Sequence, residues 1–391
     1  MVASLLDLPA LQRLRGIKQL GTAYLVYPGC LHTRFDHSLG AAHIAGRIVA
    51  ALRRDGTVVS ADLEALISAA ALLHDVTHVP FGHTLEDERR LFPRHDKGSR
   101  LERLFAGELG RALERLGVLG SMRALLAPKS DKGVNQAGLP AFARDIVSST
   151  IDADLLDYLA RDAHFAGLGL RYDERVLRSF GVEDGRLVLR LARHGMERPD
   201  ARSEVIAGAM ISKAVEIALD SSALVESDLL EVDDWTLLDR LRRMSNQSGA
   251  RLAERVLRRE LLKRAWVVSA QSTTEAERRE LVARYHDDRA TRAAVEDGLA
   301  RAAGLDLGQV VLHCPELTLM KEARARVIGA DGPGRLNDAD AEGLGEIRAL
   351  EERYQRLWRL HVFAPAEAIA RVGAAADAFF GHANEHRLPR E

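Results

Sequence analysis

Across most of this 391-residue chain, apolar side chains return every three or four positions, the spacing that lays them along one face of an α-helix. A chain patterned this way must pack helix on helix, and an ionisable group on such a stripe is costly to bury. Three stretches nevertheless carry one. In 36–53, His37 shares a face with Ala41, Ile44, Ile48 and Leu52. In 61–75, His74 shares a face with Leu63, Ile67 and Ala70, and Asp75 stands beside it at the helix end. In 142–162, read as one continuous helix, Asp154 falls in line with Val147, Ile151 and Tyr158, which puts a carboxylate on the buried side.

A single inward histidine is most simply a core residue with its hydrogen bonds satisfied. Two of them, an adjacent His-Asp pair and a carboxylate on a third helix ask for a common partner. One divalent cation would compensate Asp75 and Asp154 together, so His37, His74, Asp75 and Asp154 are the expected ligands of one metal per subunit. Two imidazoles with two carboxylates suit Fe, Mn, Co, Ni or Zn better than a purely hard site does, with Mg kept as a candidate; the pattern does not choose among them. Protein ligands that leave coordination positions open admit a water whose pKa the metal lowers, which makes hydrolysis the natural chemistry.

The rest of the chain bounds the setting. Its 47% hydrophobic and 29% charged residues are those of an ordinary globular protein, and its length accommodates two domains. The expected fold is mostly α: a helical domain over 1–264 and a smaller α+β domain over 265–391, with strands at 266–269, 310–313, 324–328 and 360–363 and a Gly-rich loop over 329–345. Asp184-Gly185 between two short extended runs predicts a tight hairpin, the Pro- and Gly-broken stretch 127–140 a loop, and the acidic run 226–234 a helix cap or a solvated face. A formal charge of −2 and a pI near 6.7 give no overall attraction to nucleic acid or anionic membrane, and the scattered arginines of 100–123 support a nucleic-acid partner only weakly. Two cysteines, no membrane-spanning run and no basic leader fit a cytoplasmic, unprocessed protein.

Four segments carry a resemblance. Leu-Gln-Arg-Leu-Arg-Gly-Ile-Lys-Gln-Leu-Gly over 11–21 is followed by Tyr-Pro-Gly-Cys-Leu-His-Thr-Arg-Phe-Asp-His-Ser-Leu-Gly over 27–40. His-Asp-Val-Thr-His-Val-Pro-Phe-Gly-His over 74–83 and Asp-Ala-Asp-Leu-Leu-Asp-Tyr-Leu-Ala-Arg-Asp over 152–162 complete the set. Together they closely resemble the deoxynucleoside triphosphate triphosphohydrolase branch of the HD superfamily, strongly over 10–220 and only in architecture afterwards. The resemblance implies the same four metal ligands, His37, His74, Asp75 and Asp154, and release of nucleoside and intact triphosphate. It implies that Arg34, His78 and His83 contact phosphates, that His95 protonates the leaving oxygen, and that Gln19, Leu20, Tyr158 and Asp162 hold the sugar. It also implies a homo-oligomer, dimer or tetramer.

The chain departs from that branch in places. Leu155 follows Asp154 where some triphosphohydrolases have a phosphate-gripping lysine, and 203–216 is poorer in Tyr, His and basic residues. Ten residues precede Leu11, where relatives have an extra strand-forming segment, so the full nucleotide-activated switch is not expected. The same metal site could therefore serve nucleoside monophosphates, other phosphorylated metabolites or nucleic-acid ends, and a non-catalytic nucleotide-binding regulator is the reading from another class.

Overall fold

The computed structural model describes residues 1–92, 99–126, 138–168, 174–190, 205–317, 326–329, 332–335 and 355–386. Two short helices, α1 (Val2–Leu6) and α2 (Pro9–Gln12), lead to a capping box at Thr33. There the Thr33 hydroxyl accepts the Asp36 N–H at 3.3 Å, while Asp36 Oδ2 accepts the Thr33 N–H at 2.9 Å. This launches α3 (Arg34–Arg54), which buries the stripe from His37 to Leu52 as its spacing predicts. Ser60 caps α4 (Ala61–Leu73), and His74 closes that helix. The two helices pack together within a first core completed by α5 (Arg100–Phe105), α6 (Glu108–Arg115) and α7 (Leu119–Leu126).

The expected single helix over 142–162 is instead two, α8 (Ala141–Val147) and α9 (Ala153–Phe165). Asp152 breaks it: in extended backbone, its side chain accepts the N–H of Ser149 at 2.6 Å and of Leu155 at 2.9 Å, restarting the helix as an N-cap. Asp154 therefore lies in the first turn of α9, and its side chain is 40% exposed, not buried as expected. The hairpin of β1 (Phe180–Glu183) and β2 (Arg186–Arg190) turns at Asp184 and Gly185, both at positive φ (49° and 72°), the conformation that Asp-Gly turns favour.

A second core gathers α10 (Val205–Asp220), α11 (Asp234–Arg242) and α12 (Gln247–Leu257) around Met210, Ile211, Leu237 and Leu252. Val79, Phe81 and Leu85, from the segment after His74 and Asp75, pack into it, so this core holds that segment in place. Beyond it come β3 (Lys263–Ser269), α13 (Glu275–Tyr285), α14 (Arg289–Ala302), β4 (Val311–His313), β5 (Arg326–Gly329), β6 (Gly332–Arg335), β7 (Arg359–Ala364) and α15 (Ile369–Phe380). An antiparallel sheet in the order β3-β7-β4 backs onto a third core with Trp266, Tyr285, Leu299, Trp358 and Val372.

The strand expected near 324–328 is present as β5 but does not join that sheet. It pairs in parallel with β2, Leu189 opposite Val327, and covers an edge that the hairpin would otherwise leave open. The Gly-rich stretch after it is not wholly loop, since β6 pairs back on β5. The expected loop over 127–140 lies outside the described residues except for 138–140. A buried ion network joins the cores. Arg89 donates to Glu216 Oε2 at 2.9 Å and to Glu296 Oε1 at 2.8 Å, Lys213 pairs with Glu296 at 2.7 Å, and Arg292 donates to the Arg89 carbonyl at 3.1 Å. Among the described residues, no helix is long and apolar enough to cross a membrane.

Candidate metal centre

His37 lies one turn inside α3, with Asp157 Oδ2 2.8 Å from its Nδ1. His74, at the end of α4, directs its Nδ1 at the Ala71 carbonyl, 2.7 Å away. Each Nδ1 is thus engaged by an oxygen, which leaves each Nε2 to face the cluster, where a metal ion would displace its proton. These two Nε2 atoms face each other at 3.2 Å. Two ligand nitrogens about 2.1 Å from one ion lie about 3.0 Å apart at right angles and about 3.4 Å apart in a tetrahedron, so the separation fits a shared cation.

Carboxylates close the set. Asp154 Oδ1 is 3.0 Å from His37 Nε2 and 3.6 Å from His74 Nε2. Asp75 Oδ1 is 3.3 Å from His74 Nε2, and its Oδ2 is 3.8 Å from His37 Nε2. Donor atoms of His37, His74 and Asp75 all fall within 4.8 Å of one another. Burial alone would lower both imidazole pKa values, but Asp154 and Asp157 push His37 up to about 10, and Asp75 with Asp154 push His74 up to about 9. Burial would raise the Asp75 carboxyl, yet His74, His78 and Arg34 hold it well below the usual carboxylate range. The cluster thus calls for positive charge at its centre, which a divalent ion supplies.

The surrounding residues fix this geometry. Asp157, buried and also held by Arg161 through Nε and Nη2 at 2.8 Å each, orients the His37 ring. Gly40 makes room for it: a Cβ there would sit 1.8 Å from Asp157 Oδ1. Arg34, the first residue of α3, is buried and donates to Asp75 Oδ2 at 2.6 Å. Its guanidinium fits against Gly82, where a Cβ would come within 2.3 Å of Nη2. His78 places Nε2 3.2 Å from Asp75 Oδ1, and the His83 ring stands edge-on to it at 4.9 Å with its side chain 45% exposed.

On the other side, the Gln19 N–H donates to the His32 carbonyl at 3.1 Å, and the His32 ring reaches Asp162 at 2.8 Å while stacking on Phe165. Gln19 Oε1 is buried without a donor among the described residues. Leu20 and Tyr158 are half-buried, Tyr158 against the first core. His95 lies outside the described residues. The expected residues that the structure brings together are therefore His37, His74, Asp75, Asp154, Arg34, His78 and His83, with Gln19 and Asp162 joined through His32. Sequence reasoning passed over Asp157 and His32. Asp157 had a signal, a second carboxylate three residues beyond Asp154 on the same helix; His32 shows only in the folded chain.

Two family models match: the HD domain over residues 34–162, which contains all four expected ligands, and the HD associated region over residues 202–390. The chain belongs to the HD-domain family of phosphohydrolases. Among its relatives, it is 29% identical over 388 residues to an uncharacterized protein of Methanocaldococcus jannaschii, covering 93% of this chain and 76% of that one. It is 34% identical over 202 residues to the deoxynucleoside triphosphate triphosphohydrolase SAMHD1 of Mus musculus, a match covering 44% of this chain and 30% of that protein. The chain thus spans less than a third of this curated triphosphohydrolase. A solved phosphohydrolase of Bacteroides thetaiotaomicron shares the fold, with a TM-score of 0.64 at 21% identity over 93% of this chain and 96% of that one.

Proposed function

We propose that this protein is a metal-dependent hydrolase that converts deoxynucleoside triphosphates to nucleoside and intact triphosphate. The observation that carries the reading is the pair of Nε2 atoms facing each other at 3.2 Å, with carboxylates of Asp75 and Asp154 around them and both Nδ1 atoms already engaged. A divalent ion bound there supplies Lewis acidity toward a phosphoryl oxygen and acidifies a coordinated water. His37, His74, Asp75 and Asp154 hold it. Arg34, His78 and His83 take the phosphates. Gln19, whose buried Oε1 has no donor among the described residues, is suited to accept a hydrogen bond from a sugar hydroxyl, with Leu20, Tyr158 and Asp162 completing the sugar pocket. His95 gives a proton to the leaving oxygen, a general-acid role that histidine commonly fills. The similarity to a triphosphohydrolase across the HD part supports the substrate class; assembly as a dimer or tetramer is part of the same proposal.

Leu155 favours one other substrate for the same site. Its side chain is buried in the first core where some triphosphohydrolases have a phosphate-gripping lysine, so a nucleoside monophosphate or another small phosphoester is the second reading. The test is to strip the protein, reload it separately with Mn, Fe, Co, Ni, Zn and Mg, and offer each deoxynucleoside triphosphate and each monophosphate, separating products by anion exchange. Nucleoside with intact triphosphate, absent in Asp75→Ala, is the expected result. Turnover of monophosphates alone would replace it with the second reading, and no product from either class would remove both.

A further inference from the structure

The four proposed metal ligands all lie before residue 202, yet the HD associated region, besides the Glu216 and Glu296 that hold Arg89, sends Asp234 to the segments that flank those ligands. Asp234 opens α11 and is only 3% exposed, while its neighbour Asp233 does the capping by accepting the Thr236 N–H at 2.8 Å. The Asp234 oxygens are each spent on a backbone amide from a different distant segment: Oδ2 accepts the Lys18 N–H at 2.9 Å, and Oδ1 accepts the Phe81 N–H at 2.8 Å. Neither oxygen has a cation within salt-bridge distance among the described residues. Lys18 directly precedes Gln19 and Leu20. Phe81 lies between His78 and His83 and precedes Gly82, on which Arg34 rests.

Two further features show that this junction is built. Phe81 is held at φ +59°, a conformation costly for a residue with a bulky side chain, so something outside it must keep it there. Arg13 braces the same place, with Nη2 donating to the carbonyls of Val76 at 3.1 Å and His78 at 2.7 Å, and Nη1 to that of Val232 at 3.4 Å. A carboxylate is suited to the task because each of its oxygens accepts, whereas an amide would turn an N–H toward one of the two backbone donors. Burial pushes the Asp234 pKa up to about 6 against the pull of those two amides, so the charge is kept here against its own preference for water.

We infer that Asp234 is a positioning residue, setting the spacing between the sugar-side segment 18–20 and the phosphate-side segment 78–83 and so governing recognition of the nucleotide without touching the metal. This rests on the nucleotide hydrolysis proposed above. The test compares wild type with Asp234→Asn, both loaded with Mn, measuring metal content, amide hydrogen exchange, and kcat and KM for the preferred deoxynucleoside triphosphate and for bis(4-nitrophenyl) phosphate. The latter needs the metal and no sugar pocket. Expected are equal metal content, turnover of the small diester within about twofold, faster exchange at Lys18 and Phe81, and kcat/KM for the nucleotide at least tenfold lower, mainly through KM. Parallel loss on both substrates, or no loss on either, would overturn the role. If wild type turns over no nucleotide, the substrate reading fails by itself; the Asp234 role is then decided by exchange at the two amides, which must speed up with metal content unchanged. Should Asp234→Asn not fold, Asp234→Ser, which keeps one acceptor, takes its place under the same criteria.

Discussion

Gly40 and Asp157 show how finely the centre depends on residues that bind nothing. The Asp157 carboxylate can reach His37 Nδ1 only because residue 40 has no side chain, and that contact turns Nε2 toward the position proposed for the ion. Asp157→Asn should weaken metal binding by about 10- to 100-fold, the usual effect of losing the partner behind a ligating histidine. Gly40→Ala should produce a similar loss by displacing the carboxylate sterically. Competitive metal titration with circular dichroism as the folding control checks both. Unchanged affinity in Gly40→Ala would show that His37 does not need Asp157 to orient it.

At the level of elements, what could be read in advance followed the local pattern, and what could not depended on distant partners. The stripes of α3 and α4 are uninterrupted and end at their caps, so His37 and His74 were legible as inward residues. The break between α8 and α9 was not, because Val147, Ile151, Asp154 and Tyr158 keep helical phase across it and the spacing alone looks continuous. The cue lay in Ser148-Ser-Thr-Ile-Asp152, whose polar side chains compete for backbone N–H groups. Asp152→Ala should therefore cost about 0.5–2 kcal/mol, the range for a lost N-cap, while Asp152→Asn should lose less; urea denaturation distinguishes them. β5 was legible as a strand, but its pairing with β2 and the reach of Asp234 to Lys18 and Phe81 are long-range contacts that no local period encodes.

For the whole molecule, the decisive feature is the ion network around Arg89. Arg89→Met would leave Glu216 and Glu296 with less compensation in a buried setting, and the loss expected for breaking such a network is about 3–5 kcal/mol by equilibrium unfolding. Its positive charge also acts on the neighbouring sheet. Burial first, then Arg89, His286 and Arg292, lower the His313 pKa to about 3, and burial with His313 and nearby arginines puts His361 well below the ordinary value. In the unfolded chain these imidazoles take a proton near pH 6.5, so between there and about pH 3 the unfolded state binds more protons than the folded one. The stability they contribute is present above pH 6.5 and drains away on acidification, by up to about 1.4 kcal/mol per pH unit for each imidazole. His313→Leu in the metal-loaded protein should flatten the slope of unfolding free energy against pH below 6.5 by about one proton. A slope equal to wild type would mean that His313 charges in the folded state.

The partners of Arg89 also bear on how such a chain can be inherited. Arg89 belongs to the span matched by the HD domain, whereas Glu216, Glu296 and the Leu312 carbonyl that receive its hydrogen bonds all belong to the HD associated region. A recombination that swapped one region for one lacking these partners would bury a guanidinium with fewer acceptors or two glutamates with one fewer donor. The two regions thus share a constraint, and substitutions at Arg89, Glu216 and Glu296 are expected to change together across relatives, which an alignment of them checks.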